Sequence, residues 1–393
     1  MIKAIRDTRL GNELLGEVVA ALRGGYIPDR WRDMRVVLIP KPGRDLTQTK
    51  NWRPLNLINS IGKLGEKVVA DRIQEEGSSI LHHQQYGSVL GCSAVEVLYK
   101  LVVKARQCLE HRGSVGWAFW DVQEGFQNVQ SAEELNRIRG CGPLRCWLSW
   151  LDRFMSPREF EVEWDGSVRG RAAATKGVPQ GSPLSPVLFL VFMAPIVEEM
   201  ECEVKEEVGR VDVHFPSYVD DFHCGLYDKR AAGEEETKRE RMQDLRARIQ
   251  RVVTEVAAER RLPLAADKEE SMVLQGGCGR KKRRNNGLAE EVKSLGVILN
   301  DGLECKEHWR HRIGKARSLL GALGGVGNSR WGMGPVSWRA AYTGMVRAVA
   351  SWGVEIGWRG QKEWQQVMTL LQNVAMRKTL GAVNGSSGKK QML

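Results

Sequence analysis

The sequence has no apolar run approaching the ~18 residues of a membrane-spanning helix. None of its eight cysteines (92, 108, 141, 146, 202, 224, 278 and 305) forms C-x-x-C, no histidine stands at zinc-finger spacing, and no internal repeat is present. These absences argue against a spanning helix, a disulfide framework, a zinc module and a solenoid, and they read the cysteines as reduced intracellular thiols. Lys3, Arg6 and Arg9 alternate with Asp7, Glu13 and Glu17 at the start, a poor pattern for a transit peptide. What is present is length and positive charge. The chain has 393 residues, enough for two or three domains, with 59 Lys and Arg against 48 Asp and Glu and a pI of about 9.3. A net charge of +11 points to a polyanionic partner, nucleic acid before membrane.

One stretch organises the rest, VDVHFPSYVDDFHCGLY at 211–227. Val211, Val213 and Phe215 alternate with Asp212 and His214, the period of a half-buried strand. A second apolar run follows Asp220 and Asp221, so the spacing predicts a β-hairpin with both acids at its turn. Two carboxylates about 4 Å apart repel by roughly 4 kcal/mol at an effective dielectric near 20. Apolar flanks make that cost hard to shed into water, and a cation is the natural remedy. An Asp-Asp turn is also ordinary punctuation, so the rest of the chain has to decide.

In chain order, Leu10–Leu22 has helical spacing and stops at Gly24-Gly25. Trp31–Pro40 reads as an apolar strand that ends in a Pro-Gly turn with Lys41 and Arg44 held outward. Asn51–Ile58 is a second strand, carrying Arg53 opposite that turn. A helix over Ile61–Gln74, a glycine-punctuated loop over Gln84–Cys92 and a helix over Ser93–Leu109 follow. Val115–Val122 is a strand apolar on both faces that closes on Asp121, an expensive place for a charge. Phe126 follows where strand gives way to turn and helix. Leu135–Phe154 reads as one tryptophan-rich helix, and Arg158–Asp165 as an alternating strand.

The loop Gly177–Pro186 packs two glycines and three prolines into ten residues, a stiff turn whose backbone can approach a ligand closely. Gln180 is the amide at its bend. Ser185 is expected to cap a helix with Pro186 at its first position, running over Val187–Met200. A charged helix over Lys229–Arg261, a segment Leu262–Leu274 holding Lys268, a basic run at 280–284 and a strand over Val292–Asn300 come next. Helices from Lys306 onward, over Pro335–Trp352 and over Glu363–Leu380 complete the chain.

Taken together, GVPQGSPLSPVLF at 177–189 and YVDD at 218–221 are the most specific strings. NWRPLNLINSIGKLGEK at 51–67, QYGSVLGCSA at 85–94 and LGVILND at 295–301 occur with them in order. On these motifs the chain resembles the reverse transcriptases of LINE-type (non-LTR) retrotransposons across roughly residues 20–380. The resemblance implies an α+β right-hand polymerase fold with an antiparallel palm sheet, β-fingers and a helical thumb. It divides the chain into a helical lead-in at 1–30, fingers and palm at 31–300, a thumb-like region at 301–385 and a flexible tail at 386–393.

By the same resemblance, Asp121, Asp220 and Asp221 hold two Mg²⁺ ions, with Mn²⁺ a substitute and the Val122 carbonyl a further ligand. Lys41 and Arg53 meet the incoming triphosphate. Gln180 and Gly181 line the nucleotide and template pocket, and Phe126 crowds the 2′ position of the sugar. Lys268 is the acid for the leaving pyrophosphate, and Leu295, Gly296 and Val297 grip the primer end. Gly125 and Gln127 depart from the family's alanine before, and small acid or amide after, the aromatic gate. The partners implied are an RNA template, a DNA primer and dNTPs, with no membrane and no zinc, and with endonuclease function supplied elsewhere. The other readings are an inert RNA-binding remnant and an intron-maturase-like enzyme. The basic run at 280–284 and a chromosomal target favour the nucleus, with the mitochondrion left open.

Overall fold

The structure, a computed structural model, describes residues 7–129, 131–230, 235–265, 269–274, 291–326 and 333–380. Lys268, the run at 280–284 and the tail at 386–393 lie outside the described residues. The lead-in helix forms as α1 (Arg9–Gly24), where the Thr8 hydroxyl accepts from the Gly11 amide at 3.2 Å. Trp31 is not the start of a strand. It sits in a short helical turn, Asp29–Arg32, because Pro28 fixes the entry and its carbonyl accepts from the Trp31 amide at 2.9 Å.

Strand β1 (Met34–Pro40) pairs antiparallel with β2 (Trp52–Ile58), Met34 facing Ile58 and Ile39 facing Arg53. Helices α2 (Gly62–Glu76) and α3 (Ala94–Glu110) follow, then β3 (Ser114–Asp121), which is buried until its last residue. The expected single helix over Leu135–Phe154 is broken into Ser131–Gly140, a 3₁₀ turn Gly142–Trp147 and α4 (Leu148–Met155). Pro143, with glycines before it, cannot continue an α-helix and restarts the chain.

Strand β4 (Arg158–Trp164) pairs parallel with β1 and antiparallel with β5 (Ser167–Ala174), giving a sheet in the order β2-β1-β4-β5. Helix α5 runs over Ser185–Val208, eight residues beyond the expected end, and most of its length is buried. The Ser185 hydroxyl does not cap it. Leu184 already has helical φ and ψ, so the preceding turn closes instead: Ser185 donates to the Pro179 carbonyl at 2.8 Å, and the Ser182 hydroxyl accepts from the Leu184 amide at 3.0 Å.

Strands β6 (Asp212–His214), β7 (Ser217–Tyr218) and β8 (Asp221–Asp228), helix α6 (Glu235–Glu259) and β9 (Glu270–Leu274) follow. The sheet order is β6-β8-β3-β9, with β7 paired antiparallel to β8. The expected strand over Val292–Asn300 is a hairpin, β10 (Glu291–Ser294) and β11 (Val297–Asn300). Its turn residues Leu295 and Gly296 have φ of 47° and 78°, the pattern of a two-residue type I′ turn.

The chain forms two compact units, residues 1–94, 118–226 and 240–269, and residues 95–117, 227–239 and 270–393. In the second, α7 (Lys306–Val326), a helical stretch over Pro335–Ser351 with a π-helical middle, and α8 (Lys362–Leu380) share a core of Ile313, Leu320, Trp338, Val346 and Leu371. Among the described residues no helix is long and apolar enough to cross a membrane.

Candidate active site

Asp121 is the last residue of β3, and the turn carrying Asp220 and Asp221 joins β7 to β8 on the neighbouring strand. Tyr218 faces Asp221 across the hairpin, which leaves Val219 and Asp220 as the turn itself. Val219 has φ 57°, a left-handed conformation that a β-branched residue adopts only under constraint. The Val122 amide donates to the Asp220 carbonyl at 3.0 Å, so the end of β3 is tied directly to the turn. All three aspartates are half-buried. Three carboxylates and the Val122 carbonyl are hard oxygen donors, the chemistry that suits Mg²⁺ or Mn²⁺ better than a soft metal.

The strand end is also stitched to the segment that leads to Lys268. The Gln123 amide donates to the Pro263 carbonyl at 2.8 Å and the Ala265 amide to the Asp121 carbonyl at 2.9 Å. Lys268 itself is outside the described residues.

A cavity of about 690 Å³ is lined by Lys63 and Lys67 of α2 and by Phe126, Gln180, Gly181, Ser182 and Pro186. Phe126, Gln180 and Gly181 thus line one cavity. Phe126 lies in a short helical turn, Gly125–Asn128, and its ring stacks on Phe189 of α5. The proline-glycine loop is held to the first sheet by backbone: the Asn56 amide donates to the Gln180 carbonyl at 2.8 Å. A Cβ on Gly181 would stand 2.4 Å from the Asn56 carbonyl oxygen, and its φ is 134°, so only glycine fits this crossing.

Glu66 of α2 holds the loop through Ser182, and no sequence pattern marks it. It is buried and its Oε2 accepts from the Ser182 hydroxyl at 2.6 Å. Burial pushes the Glu66 carboxyl up, with Ser182, Arg158 and Lys63 opposing. Its position in the GKLGEK string gave no local sign of a partner more than a hundred residues away.

Lys41 and Arg53 share the β1–β2 hairpin and are exposed, outside that cavity's lining. The Lys41 ammonium donates to the Lys50 carbonyl at 2.7 Å. In the second unit, Leu295 and Gly296 form the tip of the β10–β11 hairpin while the Val297 side chain is buried. The Trp352 indole donates to the Leu295 carbonyl at 3.3 Å, and the buried His308 accepts from the Ile298 amide at 3.3 Å.

The family described as "Reverse transcriptase (RNA-dependent DNA polymerase)" matches residues 39–299. An RNA-directed DNA polymerase from the mobile element jockey of Drosophila melanogaster is 30% identical over 199 residues, 50% of this chain and 21% of that protein. A 115 kDa protein of the type-1 retrotransposable element R1DM, from the same species, is 24% identical over 348 residues, 85% of this chain and 31% of that protein. The chain thus spans about a fifth to a third of the length of these relatives. Among solved structures, a telomerase of Candida albicans in complex with a telomeric RNA fragment is 10% identical, with a TM-score of 0.46, over 94% of this chain and 63% of that chain.

Proposed function

The chain belongs to the reverse transcriptase family, and on that premise we propose that it is the RNA-directed DNA polymerase core of a non-LTR retrotransposon. Its α+β architecture is that of the right-hand polymerases, and reverse transcriptases generally use divalent metal ions. In this reading Asp121, Asp220 and Asp221, with the Val122 carbonyl, hold two Mg²⁺ ions, or Mn²⁺ in their place. Bound there, the ions would activate the primer 3′-hydroxyl and neutralise charge on the departing pyrophosphate.

The chain's own groups do the positioning. Lys41 and Arg53 clamp the triphosphate, whose charge grows toward the leaving group. Gln180 and Gly181 seat the nucleotide against the template, and Phe126 fills the space of a 2′-hydroxyl. The primer 3′-hydroxyl gives up its proton to water as its oxygen bonds to the α-phosphorus and the bond from that phosphorus to the bridging oxygen breaks. Lys268 supplies a proton to that oxygen. Leu295, Gly296 and Val297 hold the primer end, and target cleavage is supplied by an endonuclease outside this region.

The observation that carries the reading is the 3.0 Å hydrogen bond between Val122 and Asp220, which sets the end of β3 beside the Asp-Asp turn. The purified chain should extend a DNA primer annealed to RNA when given dNTPs and Mg²⁺. A folded protein that extends no primer with Mg²⁺ or Mn²⁺ would contradict it.

A further inference from the structure

Behind the Asp220–Asp221 turn runs a segment, 84–87, to which the polymerase reading gives no task. Gln84 meets the hairpin with both its backbone and its side chain. The Ser217 amide donates to the Gln84 carbonyl at 2.9 Å, and the Phe215 amide donates to its Oε1 at 2.8 Å. The Gln84 Nε2 donates to Glu201 on α5. The Tyr86 amide returns a bond to the Ser217 carbonyl at 2.9 Å, and the Gln85 side chain donates to the Leu190 carbonyl at 3.0 Å. Gln84, Gln85, Ser217 and Glu201 are all buried, where an unmade hydrogen bond costs most.

The amide of Gln84 has one donor end and one acceptor end, and each is matched. Glu201 also takes the His82 Nε2 at 3.0 Å and the Lys205 ammonium at 2.8 Å. Burial alone would raise the Glu201 carboxyl, but His82 and Lys205 outweigh it and hold it at about 2. A carboxylate there can only accept, so the NH₂ of Gln84 turns toward it and the oxygen turns toward Phe215. Gly87, in the same segment, lies against the turn. A methyl on it would stand 2.5 Å from the Val219 nitrogen and Cγ2, and 3.0 Å from the Tyr218 carbonyl carbon. The left-handed Val219 therefore has the bare Cα of Gly87 behind it.

We infer that Gln84 is a positioning residue for the metal-binding turn, its amide oriented by the Glu201 carboxylate and its effect carried to Asp220 and Asp221 through Phe215, Ser217 and the close approach of Gly87. The inference rests on the polymerase reading of the aspartates. Gln84→Glu keeps the shape and the acceptor for Phe215 but sets a second carboxylate against Glu201. Adding Glu201→Gln restores one donor and one acceptor to the pair. Gly87→Ala disturbs the same turn by an independent route, so the test survives if one variant folds poorly.

Five quantities are compared in the full chain: the folded fraction by circular dichroism, hydrogen exchange of the Phe215, Ser217, Tyr218 and Val219 amides, binding of Mn²⁺ alone by paramagnetic resonance, and kcat and KM for dNTP. Gln84→Glu and Gly87→Ala should exchange faster at those amides, bind Mn²⁺ more weakly and lose kcat by about 10²-fold, the scale of a 1 Å misplacement. KM should stay within about twofold, since the triphosphate contacts lie elsewhere. The Gln84→Glu, Glu201→Gln double variant should regain most of the exchange protection and the rate. Unchanged exchange and Mn²⁺ binding would overturn the inference, as would a loss of rate that only follows the folded fraction. Failure of the polymerase reading is seen separately, in a wild type that extends nothing, while exchange and Mn²⁺ binding still judge the brace.

Discussion

The ring of Phe126 stacks on that of Phe189, with centroids 5.1 Å apart and planes 17° from parallel, and a Cβ on Gly125 would come within 2.8 Å of the same Phe189 ring. Glycine at 125 thus makes room for the Phe189 ring on which Phe126 stacks, which accounts for the departure from alanine there. Phe126→Val should raise incorporation of ribonucleotides relative to deoxynucleotides, with less effect on deoxynucleotides alone. The dNTP-to-rNTP preference of folded wild type and variant, on one primer and template, checks this. An unchanged preference would make Phe126 simply part of the core.

Ser182 joins Glu66 to the start of α5, donating to the carboxylate at 2.6 Å and accepting from the Leu184 amide at 3.0 Å. Ser182→Ala leaves two buried groups short of a partner, a loss of about 1–3 kcal/mol. Urea unfolding should show that loss, and KM for dNTP should rise because the same loop carries Gln180. Wild-type stability would mean that Glu66 finds another donor.

His308 gives the second unit a pH dependence. Its ring accepts from the Ile298 amide on one nitrogen and faces the Trp352 carbonyl on the other at 2.8 Å, the pattern of the neutral ring. Burial lowers its pKa below 6.5; the Trp352 carbonyl opposes this, and Arg312 and His311 add to it. The unfolded chain then takes up the proton first. The stabilisation is full above about pH 6.5 and falls as pH drops below that toward the lowered folded value. Wild type should be more stable than His308→Gln at about pH 7.5, and the difference should shrink by about pH 5.5. A constant difference would exclude a buried neutral ring.

The excess of 59 basic over 48 acidic residues predicts binding through phosphates. Affinity for an RNA–DNA primer-template should fall by roughly 10³ between about 50 and 200 mM salt if six phosphates are neutralised. Filter binding across that range checks it, and a flat response would assign the charge to another purpose.

The site was legible in the sequence where chemistry and period coincide. β3 announces itself as an apolar strand ending in an acid, and the 211–227 stretch as a hairpin with acids at the tip. The proline-glycine loop was legible for its stiffness, but its cap was not. Ser182 and Ser185 stand three residues apart, and only the folded turn tells which hydroxyl meets a backbone amide. β5, with the sequence SVRGRAAA, is nearly all exposed and has no alternating face to read. The β10–β11 hairpin was hidden because leucine holds the first left-handed turn position, where Asn or Asp is usual. The Gln84–Glu201 pair joins residues far apart in the chain, and nothing local marks such a bond.

In the proposed polymerase, Asp220, tied to β3 through Val122, completes the carboxylate metal site that performs primer extension. Asp220→Asn changes one oxygen for an amide at nearly constant shape. With purified wild type and variant, on the same RNA template and DNA primer in Mg²⁺, the variant should extend nothing measurable while binding the primer-template as tightly as wild type. Extension by Asp220→Asn at close to the wild-type rate would contradict the assignment of this turn as the catalytic centre.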